Sequence, residues 1–186
     1  MPQFDFTALR EGKTTYADMV AEVSYKDLQN YIEQAFETVE TILKDATDAA
    51  VNFVPNDPKA TEDGERGWTI SHIVAHLTAG FEENASVSSI LARGLALEAR
   101  LHAETPWETL KTADQVRARL NESRRMSLAY LSAWPDQPNL TTTITRIPAF
   151  GPMNAIGVGM LGFFHAQMHY EQLRETLRQA AESANA

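Results

Sequence analysis

Four long stretches of this chain repeat apolar residues at three- and four-residue steps, and turn-forming residues stop each of them. That spacing matches the 3.6-residue turn of an α-helix and not the two-residue alternation of a half-buried strand. The first stripe, Leu28, Ile32, Phe36, Val39, Leu43, Ala46 and Ala50, predicts a helix from Ser24 to about Phe53. Ser24 and Asp27 have capping-box spacing at its start, and Pro55 to Pro58 end it, followed by a polar connection up to Gly67. The second opens behind Trp68 with Thr69 as N-cap and carries Ile70, Ile73, Val74, Leu77 and Phe81. Residues 87–103 read as helical again, a continuation kinked near 84–89, with a less regular pattern weakened by Gly94. The third opens on the capping pair Thr112 and Gln115, presents Val116, Leu120, Met126, Tyr130, Leu131 and Trp134 inward, and has Ser123 and Ser127 where a neighbour can approach closely. The last runs from about Met153 or Asn154 to Glu182, through Ile156, Met160, Leu161, Phe164, Met168, Leu173 and Leu177.

Four amphipathic helices with one long connection predict an all-α four-helix bundle. The crossover before the last helix contains Thr141 to Thr145, a β-prone run that predicts a strand or an extended loop. The bundle domain is expected to span 24–186. Residues 1–23 form an N-terminal arm, with a short helix around 16–23, packing on the main body. At 186 residues one domain of this size buries a full core.

Charge and composition exclude several functions. With 25 acidic against 16 basic residues, a net charge of −9, the chain lacks the clustered cations that a nucleic-acid partner requires. No apolar run approaches a membrane span and the first ten residues lack a signal design, so a cytoplasmic protein is expected. There is no cysteine, which excludes disulfides and thiolate ligands; any thiol chemistry must use a thiol that arrives with a small molecule. Gly-rich phosphate loops, a Gly-x-Ser-x-Gly elbow, His-Glu-x-x-His and Glu-x-x-His are all missing.

The chemistry-bearing residues that remain are histidines. Of five, four fall in two pairs four residues apart, His72/His76 and His165/His169. Such spacing puts both imidazoles of a pair on one helix face, where two neutral rings can grip one transition metal and a third from a neighbouring helix completes a three-nitrogen site. Singly, a histidine beside an apolar stripe is more often a packing residue than a ligand. His102 sits in the irregular region and is expected at the surface. Glu82, Glu83, Arg124, Arg125 and Gln172 are the candidates for a general base, each more simply a surface or packing residue, and the line Glu33, Glu37, Glu40 reads as a solvated helix face.

Two segments resemble a known family. Trp68-Thr69-Ile70-Ser71-His72-Ile73-Val74-Ala75-His76-Leu77 is similar to the second-helix motif of the DinB/YfiT-like metalloprotein superfamily, in which a Trp and a small hydroxyl residue open the helix and a metal-binding His-Leu follows eight residues later. Phe164-His165-Ala166-Gln167-Met168-His169-Tyr170-Glu171-Gln172-Leu173 resembles its fourth-helix motif, whose two histidines supply the other ligands. The likeness covers roughly 24–182 and departs from the family pattern at Tyr170-Glu171 and at His72, where relatives often carry an acidic or neutral residue. His72 is open to three roles: an extra ligand, a group behind the ligands, or a surface residue.

The resemblance implies a divalent ion, zinc or nickel, held by His76, His165 and His169. Characterised relatives include transferases and isomerases that depend on low-molecular-weight thiols such as mycothiol or bacillithiol. The resulting expectation is a metal-dependent thiol S-transferase acting on a small-molecule substrate. Its alternatives are a metal-dependent hydrolase and a non-catalytic metal- or small-molecule-binding bundle of the stress-response kind. A homodimer is expected from the apolar residues of 87–103, and no nucleic-acid or membrane partner.

Overall fold

Among the described residues, capping side chains and punctuating turns set off seven α-helices and two single 3-10 turns, with no strand. The computed structural model describes residues 5–57, 67–97 and 99–185. The helices are α1 (Phe6–Arg10), α2 (Tyr16–Val20), α3 (Tyr25–Ile42), α4 (Asp48–Val51), α5 (Ile70–Ala92), α6 (Ala113–Ser132) and α7 (Ala155–Ala184). Part of the polar connection expected up to Gly67 lies outside the described residues.

The four long helices pack in a ring, α3 on α6, α6 on α5, α5 on α7 and α7 on α3. Across its centre Phe36 of α3 and Phe81 of α5 meet with ring centroids 4.2 Å apart. Leu28, Ile32, Phe36 and Val39 are buried as the stripe predicts, as are Ile70, Ile73, Val74 and Leu77. Both long-helix capping boxes form: the Ser24 hydroxyl accepts from the Asp27 amide, and the Thr112 hydroxyl from that of Gln115. Ser123 is fully buried, and its hydroxyl donates to the Thr78 carbonyl of α5 at 3.3 Å.

Three expectations are corrected. The first helix ends at Ile42 rather than near Phe53. Thr47 caps a separate turn by accepting from the Ala50 amide, and Asp48 accepts from the Ala113 amide at the start of α6. The apolar stripe runs on across that break, but these local and tertiary hydrogen bonds compete with helix continuation. Second, α5 continues to Ala92 in one piece and the chain then leaves helical geometry, because Gly94 turns it at φ +81°. Buried Ser86, Ser88 and Ser89 need no kink, since their small side chains let α5 pass through the core. Third, the line Glu33, Glu37, Glu40 is not simply solvated, because Arg124 of α6 pairs with all three and ties α6 to α3. In the threonine-rich crossover the extended geometry shrinks to one antiparallel bridge between Ile144 and Met153.

Helix α7 carries Gly157, Gly159 and Gly162 in its first half, a cost of roughly 1 kcal/mol each relative to alanine in an isolated helix. Packing explains Gly159: a β-carbon there would fall 2.8 Å from Leu28 of α3, whereas one at Gly157 would press on the Met153 β-carbon at 3.2 Å and one at Gly162 would make an ordinary contact with Phe81 at 3.4 Å. Tyr16 of α2 is fully buried, donates its hydroxyl to the Gly157 carbonyl at 2.7 Å and stacks on Phe150 at 5.1 Å. The segment before α3 is thus attached to the bundle through one buried phenol. Tyr16→Phe is expected to lower stability by about 1 kcal/mol in urea denaturation, the usual worth of a buried hydrogen bond; an unchanged midpoint would show that the phenol contributes nothing.

Candidate metal centre

Helix α5 carries His76 on the turn after His72, and α7 carries His165 and His169 one turn apart. These two helices pack together over a long contact, and there the three imidazoles converge. His76 Nε2 lies 2.9 Å from His165 Nε2, and His169 Nε2 lies 3.2 Å from the same atom. Gly80 makes room: a β-carbon there would fall 2.8 Å from His165 Nδ1. Its position one turn after His76, inside an otherwise strong helix, is a signal the sequence offers and the sequence reading missed.

Oxygen acceptors stand behind two of the rings. His169 Nδ1 is 2.7 Å from Gln172 Oε1, and Gln172 Nε2 donates to Asp57 Oδ2 at 2.9 Å. A carboxylate only accepts, so the Gln172 amide must turn its NH₂ to Asp57 and its oxygen to His169, which makes His169 Nδ1 the protonated nitrogen. His76 Nδ1 faces Glu104 Oε2 at 3.4 Å. With both Nδ1 atoms protonated, the Nε2 atoms of His76 and His169 present lone pairs toward His165. One N–H from His165 satisfies at most one of them, so the trio is short of a cation. Ligands at 2.0–2.1 Å, at angles between octahedral and tetrahedral, stand roughly 2.9–3.4 Å apart, and the two observed separations fall in that interval. The residues present fit a divalent metal ion.

Burial sets the charge state. It pushes His165 down to about 3 from an ordinary 6.5, helped by His169, His76 and His102 nearby. Burial also lowers His169, against the opposing Gln172 hydrogen bond, and lowers His76, against Glu104. All three are therefore neutral at pH 7, the form that binds metal.

Around them lies a second layer of side chains. His72 is neither a ligand nor a surface group: it is lodged between the indoles of Trp68 and Trp107, with centroids at 4.3 and 5.1 Å, and its Nε2 is 3.9 Å from Glu104. His102 is exposed as expected but engaged, with Nε2 3.4 Å from Glu104 and Nδ1 3.3 Å from Glu83. Glu83 is buried, not solvated. Burial pulls its carboxyl upward, and the hydrogen bonds and charges of Arg100 and Arg146 outweigh that, so it sits below the ordinary value. Glu104 is the residue that sequence reasoning missed outright, because nothing in its local segment announces that it meets three histidines. Together with His76 and His102 it forms a second cluster of metal-type donors. A cavity of about 540 Å³, lined in part by His76, His165, His102 and Glu83, opens beside the first cluster.

The model of the DinB superfamily matches residues 31–173, a span that contains every residue of this centre. No curated protein and no solved structure matches the chain at a significant level.

Two outcomes are expected. Gly80→Ala gains helix propensity but displaces His165, so metal affinity falls at least about tenfold while thermal stability of the metal-free protein changes little; isothermal titration with zinc and a parallel melt measure both. In the metal-free protein, stability is lost as pH falls from 6.5 toward about 3, because there the unfolded chain takes up a proton that folded His165 refuses. His165→Gln flattens that acid limb, as read from urea midpoints against pH.

Proposed function

The chain belongs to the DinB superfamily, and from that premise we propose that it is a metal-dependent enzyme in which His76, His165 and His169 hold one divalent ion and a low-molecular-weight thiol is transferred to an electrophilic small molecule. The observation that carries this is that His165 Nε2 lies 2.9 Å from His76 Nε2 and 3.2 Å from His169 Nε2, with Gln172 orienting His169 and Glu104 facing His76. A divalent ion so held supplies Lewis acidity, lowering the pKa of a coordinated thiol or water so that a nucleophile forms near neutral pH. Zinc and nickel both suit an all-imidazole site.

The chain's own residues contribute binding and orientation. Three neutral imidazoles carry no charge of their own, so His76, His165 and His169 would leave a bound divalent ion its full charge. The chain has no cysteine to compete for the ion or to be modified by the electrophile. The cavity gives a small molecule access to His76 and His165, and Phe150, Leu161 and Phe164 in its wall limit water beside them. His102, held between Glu83 and Glu104, also lines the cavity. No described helix is long and apolar enough to cross a membrane.

Protein purified without an affinity tag is expected to contain about one divalent ion per chain by elemental analysis, lost in His76→Ala and in His165→Ala. With that metal restored, it conjugates thiols to electrophiles from a chemically varied panel. Absence of stoichiometric metal, unaltered by His76→Ala, sinks the proposal. Tight metal binding without turnover leaves a binding bundle, and turnover that needs no thiol leaves a hydrolase.

A further inference from the structure

The cavity beside the histidines has a charge imbalance of its own. Glu83 supplies its only carboxylate among the described lining residues, against the two guanidiniums of Arg100 and Arg146. Glu104 is not part of that wall. The Glu83 oxygens already accept from Arg100 Nε at 3.5 Å and Nη2 at 3.2 Å, from the Leu101 amide at 3.0 Å and from Arg146 Nη2, with His102 Nδ1 at 3.3 Å. Two carboxylate oxygens offer about four lone-pair sites, so this acceptor is saturated, whereas each guanidinium carries five N–H donors. The wall therefore sets two guanidiniums against one saturated carboxylate, inside a chain whose net charge is −9. The Arg146 side chain is only 9% exposed, so its fork is held in place rather than waving in solvent. Opposite this polar edge the wall is apolar, with Ile147, Phe150, Leu161 and Phe164. The volume, about 540 Å³, is that of a small-molecule site.

We infer that this cavity receives an organic anion with an apolar body, its carboxylate or equivalent group held by Arg100 and Arg146 and its body lying against Phe150, Leu161 and Phe164. The inference names the substrate class for the proposed enzyme and rests on that reading for which end reacts, but the anion site is built from residues that bind no metal. A neutral ligand would leave the guanidinium surplus unmatched. An anion without an apolar body would leave the aromatic wall wet.

The full-length protein, metal-free and zinc-loaded, is titrated calorimetrically with 4-phenylbutyrate and with its neutral isostere 4-phenylbutyramide. The carboxylate is expected to bind about tenfold more tightly than the amide in both metal states, as a charge-assisted bidentate contact requires. In Arg100→Gln, an exposed position whose replacement does not threaten folding, the preference falls to about threefold or less. The charge-balanced triple variant Arg100→Gln/Arg146→Met/Glu83→Gln, which strands no buried carboxylate, abolishes it. Equal binding of the two probes, binding of neither, or a preference that survives both variants overturns the inference. So does a preference seen only with zinc, since the carboxylate would then be a metal ligand. A failure of the metal proposal shows separately, in the zinc titration alone, and leaves the metal-free comparison intact.

Discussion

The separation between α5 and α7 at Gly80 governs the rest of the molecule. A glycine there leaves His165 the space that any β-carbon would take, and it sets the distance at which His76 meets the pair on α7. The same economy recurs on α7, where Gly159 brings the helix against Leu28 of α3. Each glycine weakens the isolated helix, so the element holds its shape because tertiary packing stabilises it. Small residues at the crossing and imidazoles at the next turn are two parts of one design. Close helices are what bring nitrogens from different helices within ligand distance.

Outside that crossing, a layer of acceptors and rings fixes the imidazoles. Asp57 orients Gln172, Gln172 orients His169, and Glu104 faces His76. Trp68 stacks on His72 and meets His76 edge-on at 5.1 Å, so the ring that opens α5 also walls the site. On the cavity side, Glu83 gathers Arg100, Arg146 and His102 from segments that share no helix with one another. The centre thus has two unlike flanks, an aromatic and carboxylate flank behind His76 and a cationic, apolar-walled flank open to a ligand.

Much of this was legible in the chain. The stripes of α3, α5, α6 and α7 predicted most of the buried residues, because an amphipathic helix must hide one face whatever its partner, but Tyr130 and Met168, expected on those stripes, are 40% and 60% exposed. Ser24, Thr69 and Thr112 marked helix starts, since capping is a local hydrogen bond between near neighbours. Gln172 was visible as a candidate three residues from His169, though its role as an orienting acceptor was not. The errors came where tertiary contacts outweigh local pattern. The stripe beyond Leu43 continued while Asp48 and Thr47 broke the helix. The acidic line of α3 read as solvated because Arg124 lies 84 residues from Glu40 in sequence.

Helix periodicity, caps and the i,i+4 histidine pairs follow from interactions within a few residues, so the sequence by itself determined an all-α chain and the face on which His165 and His169 project. Whether His76 meets them, whether His72 binds or stacks, and whether Glu83 and Glu104 face water or histidine depend on groups dozens of residues apart. Those were decided only when α5 and α7 closed around Gly80, because distance between helices is a property of packing and no local pattern encodes it.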